Sequence, residues 1–330
     1  MQEPNNAIFL AIDVTLMVLI TILNFIVIFI LFAKANVRKS KNILLLSLAF
    51  ADMFVGIFVI PNAISVMFLH VMWVDAVCKL CYYGEHAVCA ASALSISVMA
   101  MDRMRAILFP FKFKSVHRCF PYFALGFVWT LALLYALRAP FVYGAVTRIS
   151  DVSNVTNTEC TVMDSQSDVH QVLVYVDFFV LFLLPSTVLV TCNVAVSIRL
   201  ASQPNIQTTG RTRLLMKRRR SIRLLLAMIF LFIGCHLPLY SIRIHLLIVD
   251  SDIPFKDIIV QSLLILSWLN SLLNVLFYGS LNNDIKSTLA VMIKCQCMKR
   301  ANRIHARVST VRTTQRALQQ SARVTSSTSI

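Results

Sequence analysis

Seven apolar stretches, each long enough to cross a lipid bilayer, occupy most of this 330-residue chain. A helix needs about 20 mostly apolar residues to cross the roughly 30 Å hydrocarbon layer. The chain is therefore predicted to be an all-α membrane protein, a seven-transmembrane helix bundle with no separate soluble domain. The predicted spans are 7–33, 43–69, 79–109, 120–143, 171–200, 222–248 and 257–280.

The distribution of charge predicts how the bundle is oriented. Most of the 31 Lys and Arg residues lie in the first, third and fifth connections between spans and in the C-terminal tail, for example Lys39, Lys114 and Arg219. Segments rich in Lys and Arg stay on the cytoplasmic side, whereas acidic residues such as Asp75 and Asp164 take the other side. We expect a multi-pass plasma-membrane protein with an extracellular N-terminus and a cytoplasmic C-terminus.

The formal net charge of +16 raises the question of a polyanionic partner. Basic patches attract nucleic acids, but here the basic residues flank membrane spans. Anionic lipid headgroups are therefore the expected counter-charge, and no nucleic-acid partner is predicted.

The chain divides into two predicted parts. Residues 1–298 form the seven-transmembrane domain, which ends in a short amphipathic helix after the seventh span. Residues 299–330 are rich in Arg, Ser, Thr and Gln without an apolar period, so they are predicted to be a disordered cytoplasmic tail whose hydroxyls can accept phosphate.

Cysteine positions predict one disulfide bond. Of the nine cysteines, only Cys78 and Cys160 fall on the extracellular side, where a disulfide forms and persists, so we pair them. Cys295 and Cys297 follow the seventh span among basic residues, which suits palmitoylation, although two free thiols fit the same pattern. Asn154 begins the extracellular tripeptide Asn-Val-Thr, a glycosylation sequon.

A buried acid in the second span needs explanation. Asp52 lies near the middle of that span, and an ionisable group inside a bilayer costs several kcal/mol unless it is paired or wetted. Polar residues at comparable depths offer partners, and the four-residue step between the last two puts both amides on one helix face. These candidates are Asn24, Ser92, Asn270 and Asn274.

An ordered set of motifs resembles the signatures of rhodopsin-like G-protein-coupled receptors. The resemblance covers about residues 1–298, and it is carried by the set rather than by any one tripeptide. The motifs are Asn24, Leu48-Ala49-Phe50-Ala51-Asp52, Trp73, Asp102-Arg103-Met104, Trp129, Pro185, Phe232, Cys235-His236-Leu237-Pro238 and Asn274-Val275-Leu276-Phe277-Tyr278.

The resemblance implies a signalling mechanism. Cys78 and Arg103 are 25 residues apart, about 37 Å of helix at 1.5 Å per residue, so the third helix connects an outer ligand to an inner partner. By resemblance, Asp102 restrains Arg103 until a heterotrimeric G protein binds, and arrestin and receptor kinases are further partners. The residues assigned to activation with this pair are Phe232, Pro238, Asn274 and Tyr278. The same analogy assigns a sodium ion, the only cofactor expected, to Asp52, Ser92, Asn270 and Asn274.

The sequence also departs from the family pattern. Met104 replaces a Tyr, His236 replaces a Trp, and Val275 replaces a Pro, while Asn193 stands where a Tyr is common. Loss of the proline removes an expected kink in the seventh helix.

A ligand pocket is predicted in the outer half of the bundle. Glu85 occupies the position where amine receptors of the family carry an Asp that pairs with the ligand ammonium; the alternative is an internal salt bridge with Arg243 or Arg138. Asp177 projects from the fifth span at the level where the family contacts the far end of small ligands, or it caps a water cluster. His236, Tyr240 and Arg243 share one helix face. The remaining predicted pocket residues are Cys89, Leu264 and Trp268.

Mixed charge in this pocket favours a peptide ligand, with a biogenic amine as the alternative. Other classes of protein fit less well. A photoreceptor needs a Schiff-base lysine where Trp268 stands, and a transporter with inverted repeats would show internal self-similarity, which the chain lacks. No HExxH motif, GxSxG motif or metal-spaced cluster supports an enzyme.

Overall fold

The computed structural model describes residues 3–33, 40–69, 74–109, 119–149, 156–202, 209–249 and 256–281. Within these ranges, seven helices are long and apolar enough to cross a membrane, which confirms the predicted bundle. Several predictions lie outside the described residues: the short helix after the seventh span, the domain boundary at 298, Asn154, Cys295 and Cys297.

The seven helices, labelled α1 to α7, follow one another along the chain. Two of them, α2 and α5, contain π-helical turns, and α4 is followed by one further helical turn, Ala139–Val142. The bounds are α1 Glu3–Ala33; α2 Ser40–Phe54, Val55–Val59, Ile60–Ile64 and Ser65–Leu69; α3 Asp75–Leu108; α4 Phe120–Ala136; α5 Ser167–Asp177, Phe178–Leu183 and Leu184–Ala201; α6 Thr209–Ile248; and α7 Lys256–Leu281.

Prolines explain where two of the π-helical turns occur. The segment Val55–Val59 comes two residues before Pro61, and the segment Phe178–Leu183 comes two residues before Pro185. A proline inside a helix has no N–H to donate, and its ring clashes with the carbonyl four residues earlier. A wider turn just before the proline relieves this clash and keeps the helix continuous.

Helix α3 is central to the bundle, because it contacts α2, α4, α5 and α6. Its middle is rich in buried Ala and Ser, and small residues let helices approach closely inside a membrane. Ser47 of α2 and Ser95 of α3 share a hydrogen bond of 2.9 Å, and Trp129 of α4 donates its indole N–H to Ser47 at 3.1 Å. These bonds hold three helices in one arrangement.

A β-hairpin forms the connection between α4 and α5. Strand β1 is Tyr143–Ile149 and strand β2 is Thr156–Val162; they pair antiparallel with Ala145 opposite Cys160. The hairpin was not predicted, although Val, Ile and Thr, which favour strands, are frequent in both segments.

Two links attach this hairpin to the start of α3. Cys78 and Cys160 form the predicted disulfide, with their Cα atoms 5.6 Å apart. In addition, the Ala145 backbone N–H donates to Asp75 Oδ1 at 3.1 Å. We call this side of the bundle the disulfide end, and the opposite side, where α3 finishes, the Arg103 end.

Helices α1 and α2 approach each other closely at Gly56. A Cβ atom at this position would lie 2.3 Å from Thr21 Oγ1 and 3.0 Å from the Met17 carbonyl oxygen. Thr21 already donates its hydroxyl to that same carbonyl at 2.7 Å, so its side chain is held in place. Gly56 is therefore required by packing rather than by its backbone conformation.

We expect Gly56→Ala to lower the stability of the bundle by about 1–3 kcal/mol, the usual cost of overpacking. The measurement is the thermal unfolding midpoint of the detergent-purified protein. Gly126→Ala is the matched control, since a Cβ there meets nothing within 4 Å and Ala favours a helix over Gly. Equal midpoints for the two variants would contradict the packing argument.

Candidate functional site: a charged cavity and a buried polar centre

A cavity of about 500 Å³ lies between the helices. Its lining includes every residue that the sequence assigned to the ligand pocket. Helices α3, α5, α6 and α7 supply these side chains, which are Glu85, Cys89, Asp177, His236, Tyr240, Arg243, Leu264 and Trp268. The structure thus brings together residues that are up to 183 positions apart in the chain, from 85 to 268.

Aromatic rings from α5 and α6 form one wall of this cavity. The Phe182 ring lies 5.5 Å from that of Tyr240 and 6.1 Å from that of Phe232, measured between centroids. Phe232 in turn lies 4.9 Å from the imidazole of His236. The four-residue steps from Phe232 to His236 and from His236 to Tyr240 place these rings on one helix face.

Asp177 is engaged by two groups of the bundle itself. Tyr135 donates its hydroxyl to Asp177 Oδ1 at 2.5 Å, and Arg138 forms a salt bridge with the same oxygen. The Arg138 guanidinium also stacks on the Tyr135 ring, 4.0 Å from its centroid. Asp177 therefore joins α5 to the end of α4, and its negative charge is matched without a ligand.

Glu85 has a different environment. Its Oε2 accepts a hydrogen bond of 3.0 Å from the amide of Asn62 on α2. No Lys or Arg among the described residues forms a salt bridge with it, and Arg138, one of its two expected partners, pairs with Asp177 instead. Of the two carboxylates in the cavity wall, Glu85 is the one that has no salt-bridge partner among the described residues.

Residues from the hairpin and α5 cover part of the cavity, and sequence reasoning missed them. Tyr143 of β1 stacks on Tyr82 of α3 with a centroid distance of 3.9 Å, and the rings of His86 and His170 lie 5.5 and 5.8 Å from it. Burial raises the pKa of the Tyr143 phenol, so it stays a neutral hydrogen-bond donor. The sequence carries no signal for this stack, because it depends on how the hairpin folds back.

The polar centre around Asp52 lies deeper in the bundle. The fully buried Asp52 carboxylate accepts hydrogen bonds from Ser271 at 2.9 Å, Asn274 at 3.1 Å and Ser92 at 3.2 Å. Two of these partners were predicted and Ser271 was missed, although it adjoins Asn270 on α7.

The two other candidate partners of Asp52 behave differently. The amide of Asn24 donates to the Ile20 carbonyl of its own helix at 3.0 Å. Asn270 is buried, and its Oδ1 has no hydrogen-bond partner within the described part of the chain. Asn270 therefore supplies a carbonyl oxygen beside the Asp52 network that is still available to a ligand.

The residues predicted to act in signalling lie on α3, α6 and α7. Asp102 is buried and Arg103 half-buried near the end of α3. Phe232 is buried in α6, which continues through Pro238 without ending. The side chain of Tyr278 on α7 lies outside the described part of the chain.

Asp13 is a further buried acid, which sequence reasoning missed. Asp13 of α1 is fully buried, and its Oδ2 accepts a hydrogen bond of 2.6 Å from the amide of Gln261 on α7. The other oxygens, Asp13 Oδ1 and Gln261 Oε1, have no hydrogen-bond partner among the described residues. The signal was available, because Asp13 is an acid inside the first apolar span.

Seven membrane-crossing helices around a charged cavity and a buried polar centre define a multi-pass membrane protein of the receptor type. Comparison with known families agrees: the model of the 7 transmembrane receptor (rhodopsin family) matches residues 23–278. The chain belongs to this family of G-protein-coupled receptors, as the ordered motifs predicted.

Individual relatives cover most of the chain at low identity. A QRFP-like peptide receptor of Branchiostoma floridae is 25% identical over 91% of this chain and 80% of its own length. Neuropeptide FF receptor 1 of Rattus norvegicus is 26% identical over 89% and 72%, respectively. Neuropeptide Y receptor type 2 of Homo sapiens is 22% identical over 87% and 75%.

The Asp13–Gln261 pair generates a test by double mutation. Asp13→Leu and Gln261→Leu should each lower stability by about 1–3 kcal/mol, because each leaves a buried polar partner unsatisfied. The double variant removes both polar groups, so its thermal midpoint should fall by less than the sum of the single effects. Ser262→Ala is the control, since the hydroxyl of this exposed neighbour donates to the Ile258 carbonyl of its own helix. Additive losses would show that the two residues do not depend on each other.

Proposed function

We propose that this chain is a plasma-membrane receptor that binds an extracellular peptide and activates a heterotrimeric G protein. The disulfide end then faces outward with the N-terminus, and the Arg103 end faces the cytoplasm. The excess of Lys and Arg in the connections at the Arg103 end supports this orientation.

The ligand class is supported by the relatives. Three of them are named as receptors for a QRFP-like peptide, neuropeptide FF and neuropeptide Y. They favour a peptide over the biogenic amine that was the alternative, and they give no support to a transporter.

The unmatched charge of Glu85 is the observation that carries the proposed binding mode. Asp177 is already neutralised by Arg138, so a cationic group of the ligand has one carboxylate available in the cavity wall. The hydrogen bond from Asn62 holds Glu85 in position without cancelling its charge. A ligand cation that reaches Glu85 gains a charge-assisted hydrogen bond in a setting partly screened from water.

Signal transfer is assigned to the Arg103 end. The Arg103 guanidinium stays charged at every physiological pH and offers a planar set of hydrogen-bond donors to a partner protein. Arrestin and receptor kinases are proposed as further cytoplasmic partners that use the Ser- and Thr-rich tail, and anionic lipids as the counter-charge for its basic residues.

A sodium ion fits the polar centre, because the side chains there offer oxygen ligands. Asp52 supplies a carboxylate, Ser92 and Ser271 supply hydroxyls, and Asn270 Oδ1, which has no hydrogen-bond partner among the described residues, supplies a carbonyl. These are the hard oxygen ligands that such a cation takes. Asn274 acts as a donor to Asp52 and helps to orient the carboxylate. The ion, when bound, supplies a positive charge that balances the buried acid.

Glu85→Gln tests the proposed anchor. It keeps the side-chain shape and removes the charge, so a library of Arg-containing synthetic peptides should activate nucleotide exchange about ten- to a hundredfold less potently. Surface expression should change little. The measurement is guanine-nucleotide exchange in membranes that also contain a promiscuous G protein.

The matched control removes the other carboxylate of the cavity. Asp177→Asn leaves the half-buried Arg138 without its counter-charge, so it should reduce surface expression more than potency. Unchanged potency of Glu85→Gln across the library would contradict the anchor. Solute flux without nucleotide exchange would contradict the receptor.

Arg103→Ala tests the coupling mechanism. Binding of a labelled active peptide should persist while nucleotide exchange collapses, because the group that engages the G protein is gone. Arg105→Ala is the control on the same helix turn, since Arg105 lies 4.4 Å from the Phe120 ring centroid and packs within the bundle. Its loss of exchange should be much smaller. Equal exchange in Arg103→Ala and wild type, at equal expression, is incompatible with the mechanism.

A further inference from the structure

Two charged residues of the cavity wall have no salt-bridge partner among the described residues. Apart from histidines, the acidic and basic residues that line the cavity are Glu85, Asp177 and Arg243. Asp177 is matched by Arg138, which leaves one negative and one positive group. Among the described residues, no salt bridge joins Glu85 to Arg243, and no other acid contacts this guanidinium within salt-bridge distance. The cavity therefore presents two separate, opposite charges.

These two charges come from different walls of the cavity. Glu85 belongs to α3 and is held by Asn62 of α2, whereas Arg243 belongs to α6. Arg243 follows Tyr240 by three residues on the same helix face, toward the disulfide end. Tyr240 is buried and Arg243 is exposed, so the guanidinium lies nearer the entrance than the aromatic wall does.

The electrostatic surroundings of Tyr143 agree with this placement. Burial raises the pKa of its phenol most, and the Arg243 guanidinium opposes that rise more strongly than Glu85 adds to it. The positive charge of Arg243 therefore reaches the hairpin side of the cavity. Arg243 and Tyr143 line the same cavity, so this positive charge acts in the space that a ligand would occupy.

The chemistry of a guanidinium indicates what it binds there. Its planar fork of N–H donors matches a carboxylate with two parallel hydrogen bonds, whereas a neutral amide offers one weaker acceptor. A ligand that carried only a cation would leave Arg243 unused and would bring like charge toward it. A ligand that carries both a positive and a negative group can pair with Glu85 on one wall and with Arg243 on the other.

We propose that the ligand bears a carboxylate in addition to its cation, and that Arg243 binds this carboxylate while Glu85 binds the cation. The proposal rests on the proposed function as a peptide receptor and specifies its ligand class. The carboxylate is either the free C-terminus of a peptide or the side chain of an acidic residue next to the cationic one.

The experiment compares three pools of synthetic hexapeptides with Arg at the penultimate position. The first pool ends in a free carboxylate, the second is identical but amidated, and the third is amidated with Glu as the last residue. Each pool is titrated in the nucleotide-exchange assay on the full-length receptor and on Arg243→Gln. Surface expression is measured alongside.

We expect a carboxylate pool to be about ten- to a hundredfold more potent than the neutral amidated pool on the wild-type receptor. Potency of the free-acid pool indicates a C-terminus, and potency of the Glu pool indicates a side chain. The ratio of the potency of the carboxylate pool to that of the neutral amidated pool should fall close to one in Arg243→Gln. The neutral amidated pool itself should keep its potency in this variant. Arg243→Lys, which retains the charge, should keep a measurable part of the ratio.

Two results overturn the proposal and leave the peptide receptor intact: equal potencies of all three pools on the wild type, or a ratio that persists in Arg243→Gln. The ratio compares pools on the same cells, so differences in expression do not affect it. If Arg243→Gln fails to reach the surface, Arg243→Met provides the same comparison. Absence of exchange with every pool overturns the proposed function, and the carboxylate proposal with it.

Discussion

The cost of an unpaired charge in hydrocarbon governs how the polar residues of this bundle are arranged. An isolated carboxylate inside a membrane costs several kcal/mol, so each buried acid needs donors from neighbouring helices. Asp52 takes three donors from α3 and α7, and Asp177 takes two, Tyr135 and Arg138, from the end of α4. These bonds also fix which helices lie side by side.

The same constraint applies to Glu85 and Arg243, the two charged residues of the cavity that have no salt-bridge partner among the described residues. Glu85 has one amide donor and no matching cation among the described residues, and Arg243 has no matching acid there. Both line a cavity, where a ligand can supply what the protein does not. Asp177 has a salt-bridge partner within the bundle and Glu85 has none among the described residues, which is why Glu85 rather than Asp177 is proposed as the ligand anchor. Residue type and depth alone do not separate them, because both are acids in apolar spans.

The hairpin borders this charged cavity and is attached to α3. The Cys78–Cys160 disulfide and the Asp75 contact attach it to the start of α3, and its first residue, Tyr143, stacks on Tyr82. Helix α3 then continues past Glu85 and Ser92 to Arg103. One continuous helix thus contacts the hairpin and carries the proposed anchor, a donor to the polar centre and the proposed coupling residue. A signal that crosses the membrane along α3 would pass all of these sites.

The sequence by itself determined the number of helices, their approximate bounds, the disulfide and eight of the residues that line the cavity. Length and hydropathy suffice for the spans, because a helix of fixed rise has to match a bilayer of fixed thickness. Periodicity placed His236, Tyr240 and Arg243 together for a similar reason, since the pitch of a helix sets which residues share a face.

The tertiary structure decided how the charges pair. Arg138 could reach Glu85 or Asp177 as far as the sequence shows, and only the folded structure, which brings the end of α4 to Asp177 of α5, assigns it to Asp177. The pairing of Asp13 with Gln261 depends in the same way on α1 meeting α7 across 248 residues. Hydrogen bonds act over about 3 Å, so partners from different helices are fixed by helix positions, and a linear pattern does not contain those positions.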